Sequence, residues 1–229
     1  MDAAAAPINV AVDLVVLTLR QGRLSVLLVQ REDEPYAGTW ALPGGFVQLE
    51  EDLLAAAHRV LQSEASLGRE HTYLEQLRTF GDAGRDPRGR VISVAFMALG
   101  ADLPDPVFGP GAADARFWNL TDIDPAALAF DHAEILGTAV ERARAKLEYT
   151  TLATSFLPPE FTISQLRGVY ESVWGTSLDP GNFHRKATRS PGFVVDLGTQ
   201  TDGTGGRPAR LFAAGEGTVL NPPLLRGGD

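Results

Sequence analysis

Two β-branched, apolar runs, residues 8–20 (INVAVDLVVLTLR) and 24–30 (LSVLLVQ), are separated only by Gln21-Gly22-Arg23. Runs of this composition, divided by so short a turn, read as two antiparallel strands. A polar stretch (REDEPYAGTW) and a Gly-rich turn (ALPGGFV) follow. In residues 51–66 the apolar side chains Leu53, Leu54, Ala57, Val60, Leu61 and Ala65 recur at three- and four-residue spacing, which predicts an amphipathic helix. Residues 72–80 and 91–99 read as further strands, joined by a turn-rich loop, GDAGRDPRG. Ala115–Leu120 is a short strand, and 131–147 (DHAEILGTAVERARAKL) a second helix. The order gives an α+β unit in which helices flank a mixed sheet.

After Leu147 the pattern changes. Residues 149–159 hold threonines, Ser155 and Pro158-Pro159, and read as a linker. Thr162 then has the character of an N-cap, and Leu166, Val169, Tyr170 and Val173 the spacing of a helix. A second helical stretch, NFHRKATRS, has Asp179 or Asn182 as its cap and Pro191-Gly192 as its stop. FVVDLG, a Gly-rich tip and LFAA complete a hairpin, and the segment after Gly215 reads as a loose tail. The division is therefore 1–150 and 151–229.

The net charge is −9, which argues against a nucleic-acid partner until it is mapped. Residues 1–150 carry 13 Lys and Arg against 22 Asp and Glu, whereas 151–229 carry 7 of each. A neutral C-terminal part can present a basic face, and the local face governs contact with DNA. The absence of cysteine excludes disulfides, thiol nucleophiles and Cys-type zinc sites, and fits a cytoplasmic protein. No apolar run reaches the roughly 20 residues of a membrane span.

Leu42-Pro-Gly-Gly-Phe46 followed by the 51–66 helix resembles the Nudix family, whose box is G-x5-E-x7-R-E-U-x-E-E-x-G-U, with U apolar. Gly45, Glu51 and Arg59 keep the spacing, but Val60 and Ser63 stand where the box has glutamates, and Ser66 where it has its late glycine. Only Glu64 remains of three clustered carboxylates. Pyrophosphate cleavage needs a divalent cation, and Mg²⁺ wants several hard oxygen ligands, so one carboxylate makes a weak metal candidate. The chain is accordingly expected to have no catalytic residues and to require no cofactor, with Mg²⁺ relevant only to residual hydrolysis. Glu51 and Arg59 read as an architectural ion pair, and Glu64 as a solvated helix residue. The resemblance implies an α/β/α sandwich with a pocket for a nucleoside-diphosphate ligand. Arg31, Trp40, Gly44 and Gly45 are its candidate contacts, with core or rim roles equally open for Arg31 and Trp40.

In the C-terminal part, helix, turn, helix and hairpin have the order of a winged helix-turn-helix, whose second helix enters the major groove. Asn182, Arg185, Lys186 and Arg189 lie on the polar face of that helix, and Arg207 and Arg210 on the wing; Thr162 joins them as a candidate DNA contact. Arginine and asparagine pair bidentately with guanine and adenine edges. Taken singly, each of these side chains has the alternative of a solvated surface residue. PPEFT, LDPGNFHRK and GRPARL together resemble the NrtR family of bacterial repressors of NAD metabolism. That resemblance implies a homodimer on a palindromic operator of double-stranded DNA. ADP-ribose or a related nucleotide in the Nudix-like domain would relieve repression. An active Nudix hydrolase and a protein-interaction adaptor are the competing readings.

Overall fold

The computed structural model describes residues 7–65, 72–107, 109, 111–202 and 208–226; Ser66 and Arg207 fall outside them. β1 (Asn9–Arg20) and β2 (Arg23–Arg31) form the expected hairpin. Gln21 and Gly22 both take positive φ, 52° and 72°, as a two-residue turn matching the twist of its strands requires. β3 (Trp40–Ala41), β4 (Gly44–Phe46), α1 (Leu53–Ala65), β5 (Tyr73–Phe80), β6 (Val91–Leu99), β7 (Ala112–Asn119) and α2 (His132–Tyr149) follow. The sheet has the order β3-β2-β1-β6-β5, with β4 paired to β1 and β7 to β2.

β1 and β6 run parallel, Asn9–Leu17 against Val91–Leu99. Strands covered on both faces need no polar alternation, which is why residues 11–18 are all buried and read as one apolar run. From α1, Ala56, Ala57, Val60 and Leu61 pack onto Val12, Leu14, Val16 and Leu27. Each larger side chain buried there stabilises the unit by about 1.5–3 kcal/mol. Leu54, expected on the apolar face, is half exposed, and Ala56 takes the inward position instead.

Residues 149–159 are not a plain linker. Thr150 caps a 3-10 turn over Thr151–Phe156 that buries Ala153 and Phe156. α3 (Ile163–Trp174), α4 (Pro180–Arg189), β8 (Val194–Gln200) and β9 (Arg210–Ala214) give the expected winged order. Between residues 216 and 226 the tail is anchored: Leu220 and Leu224 are buried, because their backbone and side chains find partners that composition alone does not reveal. By packing, the chain falls into two compact units. One comprises residues 1–18, 25–99 and 103–139, the other 19–24, 100–102 and 140–229. No helix among the described residues is long and apolar enough to cross a membrane.

Candidate ligand pocket and nucleic-acid face

β4 lies against β1 with Gly44 opposite Asp13 and Gly45 opposite Val12. A Cβ on Gly44 would come within 2.3 Å of Asp13 Oδ1 and 2.8 Å of the Val12 carbonyl, so only glycine fits there. Gly45 has ordinary space, 3.6 Å to Val60. This close approach floors a cavity of about 320 Å³. Arg31, Gly44 and Gly45 line it, as the sequence suggested. Trp40 does not. Ala41 faces the cavity, and successive strand residues face opposite ways. Trp40 therefore packs elsewhere, 5.2 Å from Trp118 and under the Arg116 guanidinium at 4.7 Å.

Glu51 and Arg59 meet as an ion pair. Arg59 donates from Nε to Glu51 at 2.9 Å and from Nη2 to the Phe46 carbonyl at 3.0 Å. The Arg59 hydrogen bond, with help from the Gln48 amide, holds the Glu51 carboxyl down at about 2. The pair ties the glycine turn to α1. Val60 is a core residue, 2% exposed. Glu64 is not the solvated residue expected: it lines the cavity beside Gly109, and burial pushes its carboxyl above the usual carboxylate range.

The cavity's strongest charges come from residues that sequence reasoning passed over. Arg85, buried in the GDAGRDPRG loop, donates to Asp131 at 2.6 and 2.8 Å and to Asp13 at 3.3 Å. Burial disfavours its charge, but the bond to Asp131 and the charge of Asp13 outweigh it, and its pKa is raised. Asp86 is also subject to burial; the Arg88 guanidinium outweighs that cost and lowers its pKa. Arg88 lies 5.0 Å from the Phe46 ring and 5.3 Å from that of Phe130, while Arg31 sits 5.0 Å over Phe130. The pocket thus offers guanidinium groups beside aromatic faces, the chemistry for a phosphorylated ligand with a planar ring. The missed signal was Asp13: a carboxylate inside a buried strand needs a cation, and a loop with two arginines supplies one.

His132 completes the floor. Its Nδ1 accepts a hydrogen bond from the Leu42 amide at 2.8 Å, and Nε2 lies 3.6 Å from Asp13. An accepting Nδ1 requires the neutral ring, and burial lowers the His132 pKa below 6.5. Unfolded histidine takes up a proton near pH 6.5 while the folded one resists, so this contribution to stability is present above that pH and is lost as pH falls below it. The denaturant midpoint is expected to drop from pH 7 to pH 5.5 more steeply in the wild type than in His132→Asn. Equal slopes in a pH-resolved unfolding series would sink that assignment.

In the C-terminal unit, Thr162 caps α3 reciprocally with Gln165, so its hydroxyl is engaged in the cap. α3 ends at Gly175 in the left-handed region, φ 69°. Asp179 caps α4, and Pro180 occupies its first turn. Phe183 and Ala187 turn inward, whereas Arg185 and Arg189 are exposed and Lys186 is partly so. Asn182 accepts from Arg185 at 2.6 Å, which aligns the two side chains. On the wing, Arg210 pairs with Asp196 at 2.8 Å.

Two family models match the chain: the NUDIX domain over residues 7–138, and the NrtR DNA-binding winged helix domain over 153–214. The ADPR responsive transcriptional repressor NtrR of Acinetobacter baylyi is 37% identical over 206 residues, which is 88% of this chain and 80% of that protein. The chain belongs to the NrtR family. Among solved structures of that family, Shewanella oneidensis NrtR complexed with a 27mer DNA superposes with a TM-score of 0.74 at 30% identity, covering 90% of this chain and 93% of that one. The NUDIX domain of the same NrtR, complexed with ADP ribose, matches with a TM-score of 0.56 at 34% identity, covering 62% of this chain and 93% of that one. The Acinetobacter relative is a repressor, and its likeness and that of the DNA-complexed NrtR extend over both units.

Proposed function

We propose that the chain is a DNA-binding transcriptional repressor of genes of NAD metabolism, working in the cytoplasm. Its Nudix unit senses an ADP-ribose-type metabolite. The observation that carries this reading is the rigidly capped, basic α4, whose Arg185 and Arg189 stand free of the core. A homodimer would present that helix twice, matching a palindromic operator. The ligand pocket supports the sensing half: Arg31 and Arg88 beside Phe130 suit a diphosphate joined to a ring. The proposal draws on the relatives for ADP-ribose itself.

Hydrolysis is proposed to be marginal. The residues present do not fit the divalent cation of the Nudix reaction. Glu64 stands without carboxylate neighbours at positions 60 and 63, and its own carboxyl is pushed toward the neutral form. Among the described residues no group of three His, Cys, Asp or Glu side chains is placed to hold a metal ion. The reading therefore requires no cofactor, and Mg²⁺ would serve only a residual activity. Incubation of the whole protein with ADP-ribose and Mg²⁺ is expected to release little AMP. Rapid AMP release would establish the hydrolase reading instead. In a gel shift on the duplex upstream of the chain's own coding region, ADP-ribose is expected to weaken binding.

A further inference from the structure

Residues 215–226 are laid along two helices of the C-terminal unit. The amides of Gly215 and Gly217 donate to Phe193 and Gly192, both at 2.9 Å. A Cβ on Gly215 would fall 2.1 Å from the Gly192 carbonyl, so the segment starts from a contact that only glycine allows. It then reaches the end of α2. The last carbonyls of a helix have no partner within it. Here Leu220 donates to the Tyr149 carbonyl at 2.8 Å and Leu224 to that of Glu148 at 2.9 Å. Arg226 closes the segment on α2, 2.8 Å from Glu148 and 3.3 Å from Glu141.

The same segment flanks α4. Leu224, 5% exposed, is common to two clefts on either side of it. Asn182 and Phe183 line the first, Arg185 and Arg189 the second, and Lys186 lines both. We propose that residues 217–226 are a positioning strap that fixes the DNA-reading helix α4 to the C-terminal end of α2, with Leu224 as its wedge and Arg226 as its latch. This rests on the repressor reading above.

A positioning role predicts lost discrimination rather than lost charge. Phosphate contacts bind any duplex, while base contacts demand exact placement. The test uses the full chain and a duplex that the wild type selects from a random-sequence pool, with an unselected duplex as the reference. Leu224→Ala and Arg226→Gln are expected to weaken the selected duplex about tenfold, the scale of one mismatched base pair, and to leave the unselected one unchanged. Arg226→Gln breaks a partly exposed ion pair and should keep the wild-type melting temperature, so it carries the test if Leu224→Ala does not fold. Wild-type discrimination in Arg226→Gln, or equal losses on both duplexes, would overturn the strap and leave the repressor reading standing. A wild type that enriches no sequence would overturn the repressor reading itself.

Discussion

Arg85→Ala is expected to destabilise the Nudix unit by about 3–5 kcal/mol, the cost of leaving a buried charge without its partner. The Arg85 side chain is 3% exposed, and Asp13 and Asp131, at 9% and 18%, converge on it. Its removal strands Asp13 in a strand buried on both faces, beside the neutral ring of His132. Chemical denaturation at pH 7 measures the loss. The second substitution Asp13→Asn should recover part of it, because an amide has no charge left to compensate. An unchanged midpoint in Arg85→Ala would mean that Asp13 is not held by this contact. The ligand response should fail in the same variant, since the Asp13–Arg85–Asp131 cluster lies where Gly44 meets β1.

Arg185→Ala is expected to cost about 1–3 kcal/mol in operator binding if Arg185 reads a base edge. Its guanidinium is oriented by Asn182 Oδ1 at 2.6 Å, so little side-chain freedom remains to be lost on docking. The loss should appear on the specific duplex and much less on a random one. Arg210 differs: it is already paired with Asp196, and the phosphate contact proposed for it would be made at the expense of that pair. Arg210→Ala should therefore lower the slope of log affinity against log salt by roughly one, at similar cost on all sequences. Equal binding of wild type and Arg185→Ala in an anisotropy titration would remove Arg185 from base reading.

The longer strands, the helices and the winged order were legible because each rests on local periodicity, whereas the short β3 and β4 read as a polar stretch and a glycine turn, and the Nudix fold itself followed from the resemblance of the box. Thr162 was readable as a cap, and Asp179 as one of two candidates with Asn182, since capping depends on residues three positions apart. The ligand pocket was legible only in part. Gly44, Gly45 and Arg31 stand in a recognisable motif, but Arg85 is 72 positions from Asp13, and no local pattern joins them. The GDAGRDPRG loop has the composition of a turn, and composition is silent on whether a loop arginine faces solvent or a buried carboxylate. Glu64 went astray for a related reason: it read as a solvated helix residue, yet Gly109, distant in sequence, lies against its carboxylate. Trp40 was misplaced by one step of strand alternation. The tail is the extreme case. Its glycines suggest looseness, whereas their lack of a Cβ is what allows two backbones to touch.

The chain's three tryptophans divide unequally between the two units. Trp40 and Trp118 stand edge to face beneath Arg116, and Trp174 donates from its indole to the Arg144 carbonyl at 3.1 Å. Each unit therefore carries its own optical probe. In Trp174→Phe, emission follows the sheet around the ligand pocket alone. In a Trp40→Phe, Trp118→Phe double variant it follows the helix pair behind the DNA-reading surface. Comparing the two melting curves in the intact, unlabelled protein would reveal whether the units lose structure in one transition or two.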